Sequence, residues 1–136
     1  PVEPELRNLY NSIGHLSKNF CEKDRQGELY PVVIFAECCV DALTRSLVEE
    51  AGSGCRIKWV TIRGDFHAVP DFVPPDLLRQ FEEHPDYRGR GYGLMIRWQL
   101  RTLFEQPDVR RLDYVMRVDS DSQLLSPFAG DPFRAM

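Results

Sequence analysis

Two carboxylates separated by one serine, Asp119 and Asp121, are the residues of this chain whose spacing most directly suggests chemistry. They follow the run YVMRV (114–118), whose apolar and β-branched residues predict a buried strand. Alternate residues of an extended segment point to the same side, so both carboxylates are expected to converge on one cation. Carboxylate oxygens suit Mg²⁺ or Mn²⁺, which is usually shared with substrate phosphates. A turn with two solvated aspartates remains an alternative, because an Asp-rich chain contains such triplets by chance.

A second group of candidate binding residues lies in the stretch YRGRGYGLMIRW, which contains Tyr87, Tyr92 and Arg97. A tyrosine ring offers a face on which a nucleotide base can stack, and an arginine fork can hold phosphate oxygens in two places. The alternative is a glycine-rich loop with solvated charges. The glycines form neither a dinucleotide-binding GxGxxG motif nor a phosphate-binding P-loop, so neither fingerprint applies.

Composition limits the classes of protein to consider. The chain has 136 residues, 43% of them hydrophobic, which predicts one globular domain. Its net charge of −4 argues against a nucleic-acid partner. Four cysteines without CxxC spacing, with three histidines, argue against a structural zinc site. Disulfides and buried free thiols both remain open. No apolar run is long enough to cross a bilayer, and we expect the chain, from Pro1 to Met136, to be part of a longer protein.

Hydrophobic periodicity predicts an α/β fold in which helices alternate with strands of one mainly parallel sheet. Asp41 is the predicted N-cap of one helix and Gly52 its stop. Helices are predicted at about 3–20, 41–52 and 76–83 and over the run LMIRWQLRTLFE, which ends before Pro107, and strands at about 31–36, 57–62 and 114–119.

An ordered set of short motifs then gives a family resemblance. The positions that match the segments "YRxMCRF", "HP" and "YYWRVEP" are, in order, Tyr92, Met95, Arg97, Pro107, Tyr114, Arg117 and Val118. Asp119 falls on a family glutamate, and GDPFRAM (130–136) closes the pattern with the family's "DPF". With these motifs the chain resembles the fungal-type Golgi α-1,2-mannosyltransferases, the glycolipid 2-α-mannosyltransferases. Upstream, LYNSIGHLSKNF, YPVVIF and VPDFVPPD look like the family's "SIRQLEDRFN", "YPWVFL" and "YPDWID".

The resemblance implies a GT-A fold, a Rossmann-like three-layer α/β/α sandwich, of which residues 1–136 would be the nucleotide-sugar-binding part. It implies a retaining transfer of mannose from GDP-mannose to a glycan or glycoprotein acceptor. Mn²⁺, or Mg²⁺, would be held at Asp119, with Tyr92 and Arg97 at the nucleotide. Asp121 falls at a variable family position but restores the DxD found in other GT-A enzymes. The parent would be a type II membrane protein of the Golgi lumen, anchored outside this segment.

The resemblance has departures, and two other readings stay open. The family's Glu-Pro is Asp119-Ser120 here, and its catalytic carboxylate and a later metal-binding histidine are expected beyond Met136, so this segment alone is expected to be inactive. A haloacid-dehalogenase-type phosphohydrolase also carries DxD after a strand, although normally after its first one. A nucleotide-binding domain without turnover is the other alternative.

Overall fold

The computed structural model describes residues 4–22, 29–36, 39–62, 68–86 and 88–135. It is a mixed α/β structure with a two-stranded parallel sheet and helices, as the sequence predicts at the level of fold class. The described residues up to Ile62, together with those from Met116 onwards, form one compact unit; those between form a second. Among the described residues, no helix combines the length and apolar character needed to cross a membrane.

The sheet of the first unit is a βαβ arrangement. Its elements are β1 (Val32–Ala36), α2 (Ala42–Ala51) and β2 (Ile57–Thr61). The strands are parallel, with Val32 opposite Ile57 and Ala36 opposite Thr61. Parallel strands need a crossover connection, and α2 supplies it here. The predicted strands at 31–36 and 57–62 are therefore confirmed, as is their parallel pairing.

The ends of α2 are set by residues that the sequence already marks. The carboxylate of Asp41 accepts the backbone N–H of Thr44 at 2.9 Å and its hydroxyl at 2.6 Å. These two bonds, the hydroxyl bond foremost, hold the pKa of Asp41 below its ordinary value. Gly52 ends the helix, and a Cβ there would approach side-chain atoms of Ile57 at 2.6 Å and Ile13 at 2.7 Å. A larger residue at position 52 would therefore require these neighbouring side chains to shift.

The core of the first unit is built on helix α1 (Pro4–Leu16) and the π-helical turn Ser17–Cys21 that continues it. Helix α1 packs against α2. Phe20 is 3% exposed, and its ring lies 6.2 Å from the ring of Tyr30, 6.0 Å from Phe128 and 6.3 Å from Phe133. Because Phe128 and Phe133 lie more than one hundred residues further along the chain, these rings bring its two ends together.

A disulfide joins the same cluster to the sheet. Cys21, which is 1% exposed, is bonded to Cys55 just before β2, across 34 residues. The sequence left disulfides and buried free thiols open, and the structure contains this disulfide. Cys39 carries an exposed free thiol.

The second unit consists of helices and turns in its described part. Helix α3 (Pro75–Glu82) begins with Pro75 at its first position, where proline's missing N–H is tolerated. Helix α4 (Arg90–Arg97) continues through the π-helical segment Trp98–Thr102 into α5 (Leu103–Glu105) and ends before Pro107. In the described part of the second unit, the buried apolar residues are Leu94 and Val109. The predicted helices in both stretches are confirmed.

The predicted third strand, 114–119, is wrong: these residues form no strand and belong to no sheet. Tyr114 is 53% exposed and Val118 42% exposed, so the run is not buried either. β-propensity describes how well side chains fit a pleated, half-buried surface, and a strand also needs a neighbour for its backbone hydrogen bonds. Here Met116 and Val118 line a groove with Leu16 of α1 instead.

The aromatic cluster gives a first prediction. Phe20→Ala removes the ring that contacts three others, and we expect it to lower the unfolding free energy by about 3–5 kcal/mol. Chemical denaturation followed by circular dichroism measures this. Leu43→Ala, at a site 70% exposed on α2, is the matched control and should change stability by less than about 0.5 kcal/mol. Equal effects of the two substitutions would contradict the assigned core.

A second prediction concerns the disulfide. Replacing Cys21 and Cys55 together by alanine frees the unfolded chain, so the unfolding free energy should fall by about 2–5 kcal/mol. Cys39→Ala is the control and should leave denaturation unchanged because that thiol is exposed and unbonded. If a reducing agent lowers the stability of the wild type but not of the double variant, the bond is responsible. Equal stability of wild type and double variant would count against it.

Candidate functional site

The two aspartates lie in a β-turn. The backbone N–H of Ser122 donates to the carbonyl oxygen of Asp119 at 2.9 Å, which closes a turn over residues 119–122. Asp119 and Asp121 are both exposed. The expectation that they share one side of an extended strand is therefore wrong, because the backbone turns between them. Their role as metal ligands stays a prediction, since turn residues can also present carboxylates to a cation.

The carboxylate of Asp119 is held by an arginine two residues earlier. Arg117 Nε donates to Oδ1 at 2.9 Å, and Nη2 donates to Oδ1 at 2.6 Å and to Oδ2 at 2.9 Å. Both carboxylate oxygens therefore accept hydrogen bonds from the same guanidinium. The side chains remain 48% and 51% exposed, so water competes with the pair. The arrangement fixes the direction of the carboxylate more than it stabilises the fold.

Sequence reasoning assigned Arg117 to the family pattern but not to the site. One signal in the sequence was available: Arg117 stands two positions before Asp119, and residues two apart in an extended segment share a side. The expectation that alternate residues point to the same side, made for Asp119 and Asp121, applies instead to Arg117 and Asp119. It selected the wrong pair because the backbone turns after Asp119.

Polar side chains of α1 and its π-helical turn anchor the backbone around this turn. The Ser12 hydroxyl, in a residue 4% exposed, donates to the carbonyl oxygen of Asp119 at 3.4 Å. The Asn19 amide, in a residue 7% exposed, donates to the carbonyl oxygen of Leu124 at 2.5 Å. Both donors are buried polar groups that need partners, and each finds one in the segment that carries the aspartates. The backbone of the turn is thereby held at the surface of α1.

A groove of about 200 Å³ runs between α1 and this segment. Leu16, Met116, Leu124 and Phe128 give it apolar walls, and Arg117 lines it with its charged side chain. The groove is smaller than the roughly 300–1,000 Å³ typical of small-molecule sites, so it could enclose only part of a ligand. The groove lies wholly within the first unit, next to the turn with Asp119 and Asp121.

A hydrogen bond further along the segment ties it to the start of the sheet. The Tyr30 hydroxyl donates to Oδ2 of Asp131 at 2.7 Å, and this bond raises the pKa of Tyr30. Desolvation raises the pKa of Asp131, but hydrogen bonds from Tyr30 and from the backbone N–H groups of Phe133 and Arg134, with the charge of Arg134, outweigh it and lower that pKa. The ring of Tyr30 also packs against the ring of Phe133, with centres 4.5 Å apart and planes tilted by 37°.

The predicted nucleotide contacts, Tyr92 and Arg97, belong to helix α4 of the second unit. The ring of Tyr92 is 45% exposed, and the guanidinium of Arg88 lies 5.7 Å from its centre. Arg97 is exposed at the end of α4. The ring and the cations are thus available to a ligand at this helix, and their approach to Asp119 stays a prediction. Tyr87 lies outside the described residues.

The metal prediction rests on two carboxylates. Among the described residues, no group of three or more His, Cys, Asp or Glu side chains could hold a metal ion. An ion such as Mg²⁺ is commonly bound by one or two carboxylates, with substrate phosphates and waters completing the coordination. A carboxylate offers about four lone-pair positions, so Asp119 retains acceptor capacity beside Arg117. Two carboxylates alone are too few ligands, so a metal here would need phosphates or waters to complete its coordination.

No family model, no curated protein and no solved structure matches this chain. The resemblance to the mannosyltransferases, and the activity it implies, therefore remain predictions. What the structure itself contributes is the geometry of Arg117, Asp119, Asp121 and the groove beside them.

The Tyr30–Asp131 bond gives a prediction for acid pH. A carboxyl whose folded-state pKa lies below its ordinary value of 3.8 stabilises the protein above that pH, and this contribution is lost as the pH falls through the folded-state pKa. Denaturation from about pH 6 down to about pH 2 should show a decline in unfolding free energy that is smaller in Asp131→Asn. Tyr30→Phe should reduce the decline in part, because it removes one of the bonds that lower this pKa. An acid decline in Asp131→Asn as steep as in wild type would contradict the assignment.

Proposed function

We propose that this chain is the nucleotide-sugar-binding part of a GT-A glycosyltransferase that moves mannose from GDP-mannose to a glycan or glycoprotein acceptor. The observation that carries the proposal is the exposed turn with Asp119 and Asp121, where Arg117 stands against the first carboxylate beside a groove. A diphosphate that is bound together with a metal ion needs carboxylates near the cation and a positive side chain near the phosphates. This short segment offers both.

The chemistry expected at such a site follows from charge. As the glycosidic bond of a sugar nucleotide breaks, negative charge grows on the leaving diphosphate. A bound divalent cation supplies a Lewis acid for that charge. Asp119 and Asp121 would hold the cation. Arg117 would donate hydrogen bonds to phosphate oxygens, which a planar guanidinium can do in two places at once.

The base is expected to contact the half-exposed ring of Tyr92. The Tyr92 side chain is 45% exposed on α4, and the Arg88 guanidinium lies 5.7 Å from the centre of its ring. Stacking on a nucleobase is a natural use of an aromatic ring in this setting. This part of the proposal depends on the family resemblance, which places Tyr92 and Arg97 at the nucleotide.

Two further features agree with the proposal. The βαβ unit of β1, α2 and β2 is the building block of Rossmann-like folds. The Cys21–Cys55 disulfide suits an oxidising compartment such as the Golgi lumen, the location that the resemblance implies.

The position of Asp119 does not separate the phosphohydrolase alternative from the transferase. Both readings place the DxD after a strand, whereas Asp119 follows none, and both need carboxylate oxygens that here accept hydrogen bonds from Arg117. Hydrolysis of a phosphate ester, as against transfer of a sugar, distinguishes the two reactions. A domain that binds nucleotides without turnover would use the same groups as the transferase, so it is distinguished by transfer activity of the whole protein.

Calorimetry with Mn²⁺ and GDP tests the proposal on this chain. Wild type should bind GDP more tightly with Mn²⁺ than without it, whereas Asp119→Asn, which removes a charged ligand, should lose at least about tenfold of the metal-dependent affinity, or ~1.4 kcal/mol. Asp121→Asn should lose less of the metal-dependent affinity if Asp119 alone binds the metal, as the family pattern implies. It should lose as much as Asp119→Asn if both aspartates of the DxD bind the metal. Circular dichroism should show both variants folded.

Asp86→Asn is the matched control, because it removes an exposed carboxylate from the second unit and should leave GDP binding unchanged. ADP in place of GDP checks base preference. Metal-dependent GDP binding that persists when Asp119 and Asp121 are both replaced would show that the pair is a solvated turn.

A further inference from the structure

We infer that the last turns of the long helix in the second unit bind the surface of an anionic lipid bilayer. The binding surface, here called the basic–apolar face, consists of Leu100, Arg101 and Phe104, with Arg110 and Arg111 in the turn that follows the helix. The inference is independent of the proposed function, because it uses other residues and another ligand.

Positive charge is concentrated in this part of the chain. Residues 88–111 contain six arginines and two acidic residues, which gives this stretch a net charge of +4 in a chain whose net charge is −4. Residues 71–86, which precede it, contain five acidic residues and one arginine, and one of these acids, Glu82, pairs with Arg90. Glu105 lies 3.2 Å from Nε of Arg101, in a pair that is weak because both side chains are mostly exposed. The segregated charge favours an anionic partner at this helix.

Large apolar side chains stand among these arginines. Leu100 is 72% exposed and Phe104 is 51% exposed, although both belong to one continuous helical run. They are four residues apart and therefore share a side of the helix, and Arg101, which is 69% exposed, flanks them. Single exposed apolar residues are common at protein surfaces. Two on one side of a helix beside a basic residue form an amphipathic surface of the kind that lies on membranes.

The turn after the helix adds two further arginines. The backbone N–H of Arg110 donates to the carbonyl oxygen of Gln106 at 2.9 Å, and the side-chain amide of Gln106 donates to the carbonyl oxygen of Thr102 at 3.1 Å. The turn is thereby held against the end of the helix, and Arg110 and Arg111 are both exposed there. Arg97 lies one turn before the apolar pair and adds a positive charge whether or not it also contacts a nucleotide. The apolar pair therefore has arginines before and after it along the chain.

A lipid bilayer uses both parts of this surface. A helix that lies on a membrane places Leu and Phe side chains at the boundary between head groups and acyl chains, and its basic side chains contact anionic head groups. The long apolar stem of arginine lets the guanidinium stay at the head groups while its neighbours insert. A soluble polyanion would bind the arginines alone and would leave Leu100 and Phe104 without a role.

Co-sedimentation of this chain with lipid vesicles tests the inference. Wild type should bind vesicles made of equal parts of phosphatidylcholine and phosphatidylserine, and should bind phosphatidylcholine alone far more weakly. Salt at about 1 M, where the screening length is about 3 Å, should reduce the binding. Arg101→Gln and Arg110→Gln should each lower the partition coefficient by about fivefold. Replacing Leu100 and Phe104 together by glutamine should lower it by at least about tenfold.

Matched controls remove the same kinds of side chain from the first unit. Arg7→Gln and Leu43→Gln change exposed positions on α1 and α2 and should leave vesicle binding as it is in wild type. Circular dichroism should show every variant folded, because the substituted side chains are exposed and glutamine is a good helix former. A parallel titration with heparin measures how much binding the arginines give to a soluble polyanion.

Each contrary result identifies a different failure. Equal binding to neutral and anionic vesicles would overturn the inference, because the arginines would then play no part. Binding that persists without the Leu100 and Phe104 side chains, with the same arginine dependence for heparin, would show a surface for any polyanion and would also overturn it. So would controls that lower binding as much as the variants of the basic–apolar face. If wild type does not bind anionic vesicles, the inference falls, and the GDP and Mn²⁺ titrations of the proposed function are unaffected.

Discussion

The packing of aromatic rings around Phe20 is the constraint on which the first unit depends. The ring sits at the end of a helix that is otherwise amphipathic, and three partners arrive from two other parts of the chain. Phe128 and Phe133 bring the segment that contains Asp119 against α1, while Tyr30 leads directly into β1. Sheet, helix and candidate site are therefore held to one small apolar cluster, and the short parallel sheet contributes little burial of its own.

The sequence predicts those parts of this arrangement that depend on neighbouring residues. Helix α2 is recognisable because its cap residue Asp41 bonds to Thr44 three positions later, and its stop, Gly52, directly follows it. Strands β1 and β2 are recognisable from apolar runs separated by one helix, which leaves parallel pairing as the natural outcome. In each case the information lies within a few tens of residues.

The run YVMRV shows where such reasoning stops. Its composition favours a strand as strongly as that of β1. However, β1 has β2 beside it, whereas YVMRV pairs with no strand in the part of the chain that the structure describes. The conformation of this segment depends on contacts with α1 and the turn after it, about one hundred residues earlier. These contacts are made by Ser12, Leu16 and the ring of Phe20. Hydrophobic periodicity depends on neighbouring residues only, so it cannot predict contacts with a helix that lies so far away in the sequence. Arg117 was missed as the partner of Asp119 because the predicted strand paired Asp119 with Asp121 instead.

The Cys21–Cys55 bond also determines how the chain transmits force. Any tension applied along the polypeptide passes through the sulfur–sulfur link, so the residues between the two cysteines form a closed ring that carries no load. Strand β1 and helix α2 lie within that ring, whereas β2 and the segment with Asp119 lie outside it. A pull applied through α1 would therefore pass from Cys21 to β2 by way of the disulfide, while β1 and α2 stay outside the covalent path.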